Sequence, residues 1–99
     1  MKKVFVVYEG DFSDCDLISV PDCLFSDIHQ YAQDFCDWLG STEDPEYFIT
    51  VNGRKVLCCE TAGFVRWLNR FVSISGEQCA IINEHIVCSK MEGGEVVEF

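Results

Sequence analysis

The chain has 99 residues, 48% of them apolar and 13% aromatic, with a formal net charge of −10. This length supports one domain with a real core and is too short for two. The apolar share excludes a disordered acidic tail. No run approaches the roughly 18 apolar residues of a membrane span, and the opening run, Val4 to Tyr8, is too short for a signal peptide. A cytoplasmic protein is expected.

The first strand expected is Lys3 to Glu9, rich in Val, Phe and Tyr. A turn over Glu9–Asp14 leads to a second strand, Cys15 to Val20, ended by Pro21-Asp22. Ser26 to Leu39 then reads as one amphipathic helix. Ile28, Tyr31, Ala32, Phe35, Cys36 and Leu39 form its apolar stripe, and Asp27, Gln30, Asp34 and Asp37 its outer face. Ser26 is the expected N-cap and Gly40 the expected left-handed residue after the last turn.

Ser41 to Glu46 is an acidic loop. Tyr47–Val51 and Arg54–Cys59 flank Asn52-Gly53, the strongest short-range signal for a type I′ hairpin, which sets Ile49 opposite Val56 and Phe48 opposite Leu57. Thr61 is expected to cap a second helix reaching about Val72, with Phe64, Val65, Leu68 and Val72 inward and Arg66 and Arg70 pointing away. Cys79–Asn83 and His85–Lys90 read as another hairpin turning at Asn83-Glu84, which sets Cys79 opposite Cys88. A short strand, Glu95 to Phe99, closes the chain. The expected class is α+β: a mostly antiparallel sheet of 5–7 strands with two helices, in the order ββα-ββα-ββ(β).

Catalytic signatures are missing from the sequence. Its two histidines, His29 and His85, stand in no nucleophile motif. There is no phosphate-binding glycine loop, and Asp11, Asp14 and Asp16 lack the ligand spacing of a calcium loop. The seven cysteines include no C-x-x-C pair, and their odd number argues for reduced, mostly packed thiols over a disulfide framework or a zinc site. No cofactor and no metal is expected.

The placement of charge carries the functional content. Residues 1–46 hold 11 acids against two lysines, whereas residues 47–99 hold 6 acids and 5 bases. Direct contact with nucleic acid or an anionic membrane calls for a basic face, so the balance points instead to a basic partner protein. Asp37 lies in the last turn of its helix, where the dipole disfavours an acid, and Asp34 and Asp37 repel each other at i,i+3. Helix stability alone does not select that pattern. Asp11, Asp14, Asp16, Asp22, Asp27, Asp34, Asp37, Glu43, Asp44 and Glu46 are therefore the candidate partner-binding residues.

The expected function is a non-enzymatic acidic protein that engages a basic surface, such as the nucleic-acid cleft of a nuclease, with carboxylates standing in for phosphates. In size and charge the chain resembles small inhibitors of restriction and CRISPR nucleases; no motif underlies the resemblance, and it assigns no residue. The alternatives are an assembly subunit that binds through aromatics such as Trp38, Trp67 and Phe71 or through a sheet edge, and charge that serves only solubility.

Overall fold

A computed structural model of the chain describes residues 1–11, 13–57, 60–73, 76–87 and 95–99. In chain order the elements are β1 (Lys2–Val7), β2 (Cys15–Val20), α1 (Asp22–Phe25), α2 (Ile28–Leu39), a 3₁₀ turn (Pro45–Tyr47), β3 (Phe48–Val51), β4 (Arg54–Leu57), α3 (Thr61–Trp67), a π-helical turn (Leu68–Val72), β5 (Ala80–Ile86) and β6 (Glu95–Glu98). The α+β class stands, but the architecture differs from the expected single sheet. One mixed sheet has the order β5-β2-β1-β6, β3 and β4 form a separate hairpin, and the helices number three among the described residues.

Alternation along the strands sorts the sheet into two faces. Val4 and Val6 of β1, Ile18 and Val20 of β2 and Val97 of β6 turn toward the helices, where they meet Ile28, Phe35, Leu39, Phe64, Trp67 and Leu68. Phe35 stands at the centre, with ring contacts to Tyr47, Phe64, Trp67 and Phe99 at 5.4–6.3 Å. The opposite face carries a smaller cluster of Val7 and Cys15 with Phe5, Ile86 and Val96.

The β3–β4 hairpin has the expected register, with Phe48 opposite Leu57 and Ile49 opposite Val56. Its turn residues Asn52 and Gly53 have φ of 51° and 77°, the left-handed pair a type I′ turn requires. The second expected hairpin is absent. Ala80 to Ile86 is one strand running through Asn83-Glu84 and pairing antiparallel with β2. The outer edge of β2 offers a long ladder, and β5 absorbs its mismatch as bulges: Cys15 faces Ile86, Leu17 faces Asn83, and Ile18 faces Ile81. The left-handed residue is His85, φ 56°, used to bulge the strand instead of reversing it. Cys79 is thus a buried free thiol ahead of the strand, and Cys88 lies outside the described residues. The last strand, β6, pairs parallel to β1, since β1's one open edge lies beside α2 and the chain reaches it from the far side of the sheet.

The helix ends differ from expectation. Pro21 opens the short helix α1, which leaves Ser26 in a right-handed turn (φ −65°, ψ −26°) and moves the start of α2 to Ile28, with Asp27 at the cap. Ser26 is used as the C-cap of α1, and Asp27 makes no side-chain capping bond. Gly40 has φ −67°, not a left-handed value. The N–H groups of Gly40 and Thr42 reach the carbonyls of Cys36 and Trp38 without a reversal of hand. Glu60, not Thr61, occupies the cap of α3. The helix does run to Val72, its last turn widened by Ser73 N–H donating to the Leu68 carbonyl at 2.8 Å.

Candidate functional site: an acidic helix beside an open sheet edge

The ten candidate acids do not act as one unit, and the structure divides them by what holds them. Asp16 shares the strand face of Ile18 and Val20, so its carboxylate points at the covered side of the sheet, where an unpaired charge is costly. Two groups receive it: the Thr61 hydroxyl donates to one oxygen at 2.5 Å, and the His85 backbone N–H, left out of the ladder by the bulge, donates to the other at 3.3 Å. With the Thr61 proton committed to Asp16, the Tyr8 hydroxyl donates to Thr61 Oγ1 at 2.5 Å and accepts from the Thr61 N–H at 2.6 Å. One chain of donors therefore pins the first residue of α3 to β1 and β2. Burial, which outweighs the Thr61 hydrogen bonds, raises the Tyr8 phenol above its ordinary pKa of 10.0.

His85 Nδ1 donates to Asp14 at 2.8 Å, and this hydrogen bond and the adjacent negative charge raise the pKa of the exposed imidazole above 6.5. Tyr8, Asp16, Glu60, Thr61, Glu84 and His85 line a cleft of about 270 Å³. The Thr61 hydroxyl there gives its proton to a carboxylate and not to a histidine, and the Tyr8 hydroxyl gives its own to Thr61, so the arrangement matches a structural bracket better than an activated hydroxyl.

Three further acids are also satisfied locally. Asp11 accepts from the backbone and hydroxyl of Ser13, which holds its carboxyl below the usual range. Asp22 meets the N-terminal amine at 3.0 Å and Asp44 meets Arg70 at 2.6 Å; both carboxyls are lowered by those hydrogen bonds. Asp44 also accepts from the Glu46 N–H at the start of the 3₁₀ turn, and Arg66 reaches the Glu46 carbonyl. Arg66 and Arg70 thus leave the core as expected but return to the acidic loop. Asp11 closes on Ser13, while Asp14 and Asp16 meet the ring and the backbone N–H of His85, and the three form no common ligand shell.

The outer face of α2 is different. Gln30 donates to Asp34 at 2.9 Å and Gln33 to Asp37 at 3.0 Å, each one helical turn apart. These amides orient the carboxylates without neutralising them. Among the described residues, Asp27, Asp34, Asp37, Glu43 and Glu46 have no ion-pair partner. At 100° per residue the acids crest the helix, and His29, Gln33 and Cys36 form the next stripe.

That stripe lines a groove of about 510 Å³, walled on the far side by Val96, Val97 and Glu98 of β6. His29 Nε2 lies 3.0 Å from Glu95 and bridges the two walls. The sequence offered little sign of this groove: His29 and Glu95 are 66 positions apart, and no pattern in Glu95–Glu98 says that the strand stands at an edge beside α2. A better sign existed at the cleft, since an Asp inside the apolar run Cys15–Val20 calls for partners.

No helix among the described residues is long and apolar enough to cross a membrane, and no group of three His, Cys, Asp or Glu side chains is placed to hold a metal ion. No protein-family model, curated protein or solved structure matches the chain.

Proposed function

We propose that this is a non-enzymatic acidic binding protein that engages a basic surface of a partner protein, with the nucleic-acid cleft of a nuclease as the kind of target its charge suits. The observation that supports the reading is the outer face of α2, where neutral glutamines hold Asp34 and Asp37 in place and no described cation pairs with either. Preoriented carboxylates on a rigid helix cost little to order on binding and steer a cationic surface toward it. Glu43 and Glu46 extend the charge beyond the helix end; Asp14, Asp16, Asp22 and Asp44 serve the fold first.

The test is capture of partners from a host lysate at low salt and again at about 0.5 M salt, where exposed charges are screened within a few ångströms. The double variant Asp34→Lys/Asp37→Lys, which touches only side chains on the solvent side of α2, should keep the fold and lose the low-salt partner. Unchanged capture by this variant refutes the proposal. A second reading, assembly through apolar surface, is favoured by Phe71, which is 50% exposed and packed between Trp38 and Trp67. A partner that persists at high salt and is lost in Phe71→Ser would select it.

A further inference from the structure

We infer that Asn52-Gly53, at the tip of the β3–β4 hairpin, is a self-modification site where Asn52 passes through a cyclic imide to aspartate and isoaspartate. The inference is independent of the acidic-binding reading.

The reaction runs between neighbouring backbone and side chain. The Gly53 backbone nitrogen gives its proton to hydroxide and attacks the side-chain carbonyl carbon of Asn52. A new C–N bond closes a five-membered ring, the bond to the amide nitrogen breaks, and that nitrogen takes a proton from water and leaves as ammonia. Water then opens the ring. Attack at the side-chain carbonyl restores the original backbone with aspartate in place of asparagine. Attack at the main-chain carbonyl leaves Gly53 joined through the side chain, as isoaspartate. In balance, one amide and one water become one carboxylic acid and one ammonia, with no oxidant or reductant.

The structure favours these steps at Asn52 over the chain's other two asparagines, Asn69 and Asn83. Asn52 and Gly53 are exposed, and among the described residues no hydrogen bond holds the Asn52 amide. A carbon added at Gly53 would meet nothing within 4 Å, so the space around it is open. Val51 pairs with Arg54, which leaves the Gly53 N–H outside the ladder. Asn69 is instead clamped to Cys79, donating to its carbonyl at 3.0 Å and accepting from its N–H at 2.7 Å. Asn83 lies inside β5, followed by Glu84, whose side chain crowds the attacking nitrogen.

Ring closure needs ψ of Asn52 to swing away from the roughly +30° of a type I′ turn. The hairpin tip allows that movement. β3 and β4 form a two-stranded sheet apart from the main one, a size that is only marginally stable alone. Beside the turn, Val51 and Val56 are 46% and 42% exposed, so little apolar burial holds the tip closed.

The two products differ in what they do to the fold. Asp-Gly also suits a type I′ turn, so the aspartate form keeps the register and adds one negative charge to a chain at −10. Isoaspartate carries the same charge but adds a backbone carbon to the loop. A two-residue turn cannot absorb it without breaking the pairing of Val51 with Arg54 and of Thr50 with Lys55.

The test is ageing of the intact protein at mildly alkaline pH, followed by peptide mapping. The Asn52 peptide should gain one mass unit at a rate proportional to hydroxide, with isoaspartate detected by enzymatic methylation, while the Asn69 and Asn83 peptides stay unchanged. Asn52→Gly keeps a Gly-Gly pair that suits the turn and should lose the whole signal with the fold intact. The isoaspartate form, separated by chromatography, should lose the cross-strand amide contacts of the hairpin in NMR spectra, and the aspartate form should keep them. Absence of the gain at Asn52, an equal gain at Asn69 or Asn83, reaction only in urea, or an isoaspartate form with its hairpin contacts intact each overturns the proposal.

Discussion

Thr61→Val removes one hydroxyl while keeping the side-chain shape, and the structure sets what that should cost. Thr61 is 3% exposed, and its hydroxyl accepts from Tyr8 and donates to Asp16, both at 2.5 Å. A neutral hydrogen bond contributes about 1 kcal/mol net, and one to a charged group about 1.5–3 kcal/mol. Asp16 keeps its bond from the His85 N–H and some contact with water, so the lower part of the range applies, about 2–3 kcal/mol in all. For a domain of this size that is a fall in Tm of roughly 10–20 °C. Tyr8→Phe loses the donor to Thr61 and the acceptor of its N–H, at about 1–2 kcal/mol. Because the two variants delete one bond in common, the double variant should cost about 1 kcal/mol less than their sum. Urea unfolding of the four proteins at constant m measures this. Additivity within experimental error would refute the shared bond and, with it, the donor order assigned to the chain from Tyr8 to Asp16.

Other expectations follow from single sites. Asp14→Asn should lower the His85 pKa toward 6.5, read by NMR titration; no change would mean that the ion pair does not form in solution. Because pairing raises that pKa, its stabilisation is complete below about pH 6.5 and is lost as pH rises through the raised value. The Asp22 and Asp44 carboxyls are lowered, so their contribution is present above pH 3.8 and is lost as pH falls through the lowered values, visible as acid destabilisation whose Asp44 part Arg70→Gln removes. Burial pushes the Cys79 thiol up to about 11, so an alkylating reagent at neutral pH should label exposed Cys23 well before Cys79, as peptide mapping by mass spectrometry would show. Gly53→Ala has open space around the added carbon but forces alanine to φ +77°; it should cost about 1 kcal/mol, and a neutral effect would argue against the type I′ turn. Phe35→Ala empties the centre of the core and should cost about 3–5 kcal/mol, with loss of the cooperative thermal transition at physiological temperature if the native margin is similar.

Local pattern alone determined several parts of this protein. The strand Cys15–Val20 was legible from its composition and its flanking turns, the apolar face of α2 from its 3.6-residue period, and the β3–β4 register from Asn52-Gly53. Each is set within a few residues by sterics or by the spacing of apolar side chains. The outer-face acids Asp34 and Asp37 were legible as well, because their glutamine partners lie on the same helix.

Tertiary structure decided the remainder. Asn83-Glu84 permits a turn, but the open edge of β2 supplies more backbone hydrogen bonds to a continuous β5, and His85 takes the strained φ that this requires. The assignment of Asp16 to Thr61, 45 positions away, and of His29 to Glu95, 66 away, depends on which strands lie beside which helix. Only a folded sheet determines that β6 enters parallel at an edge and faces α2 across a groove. The sequence thus set how much negative charge the protein carries, and the packing set which of it is held by the fold.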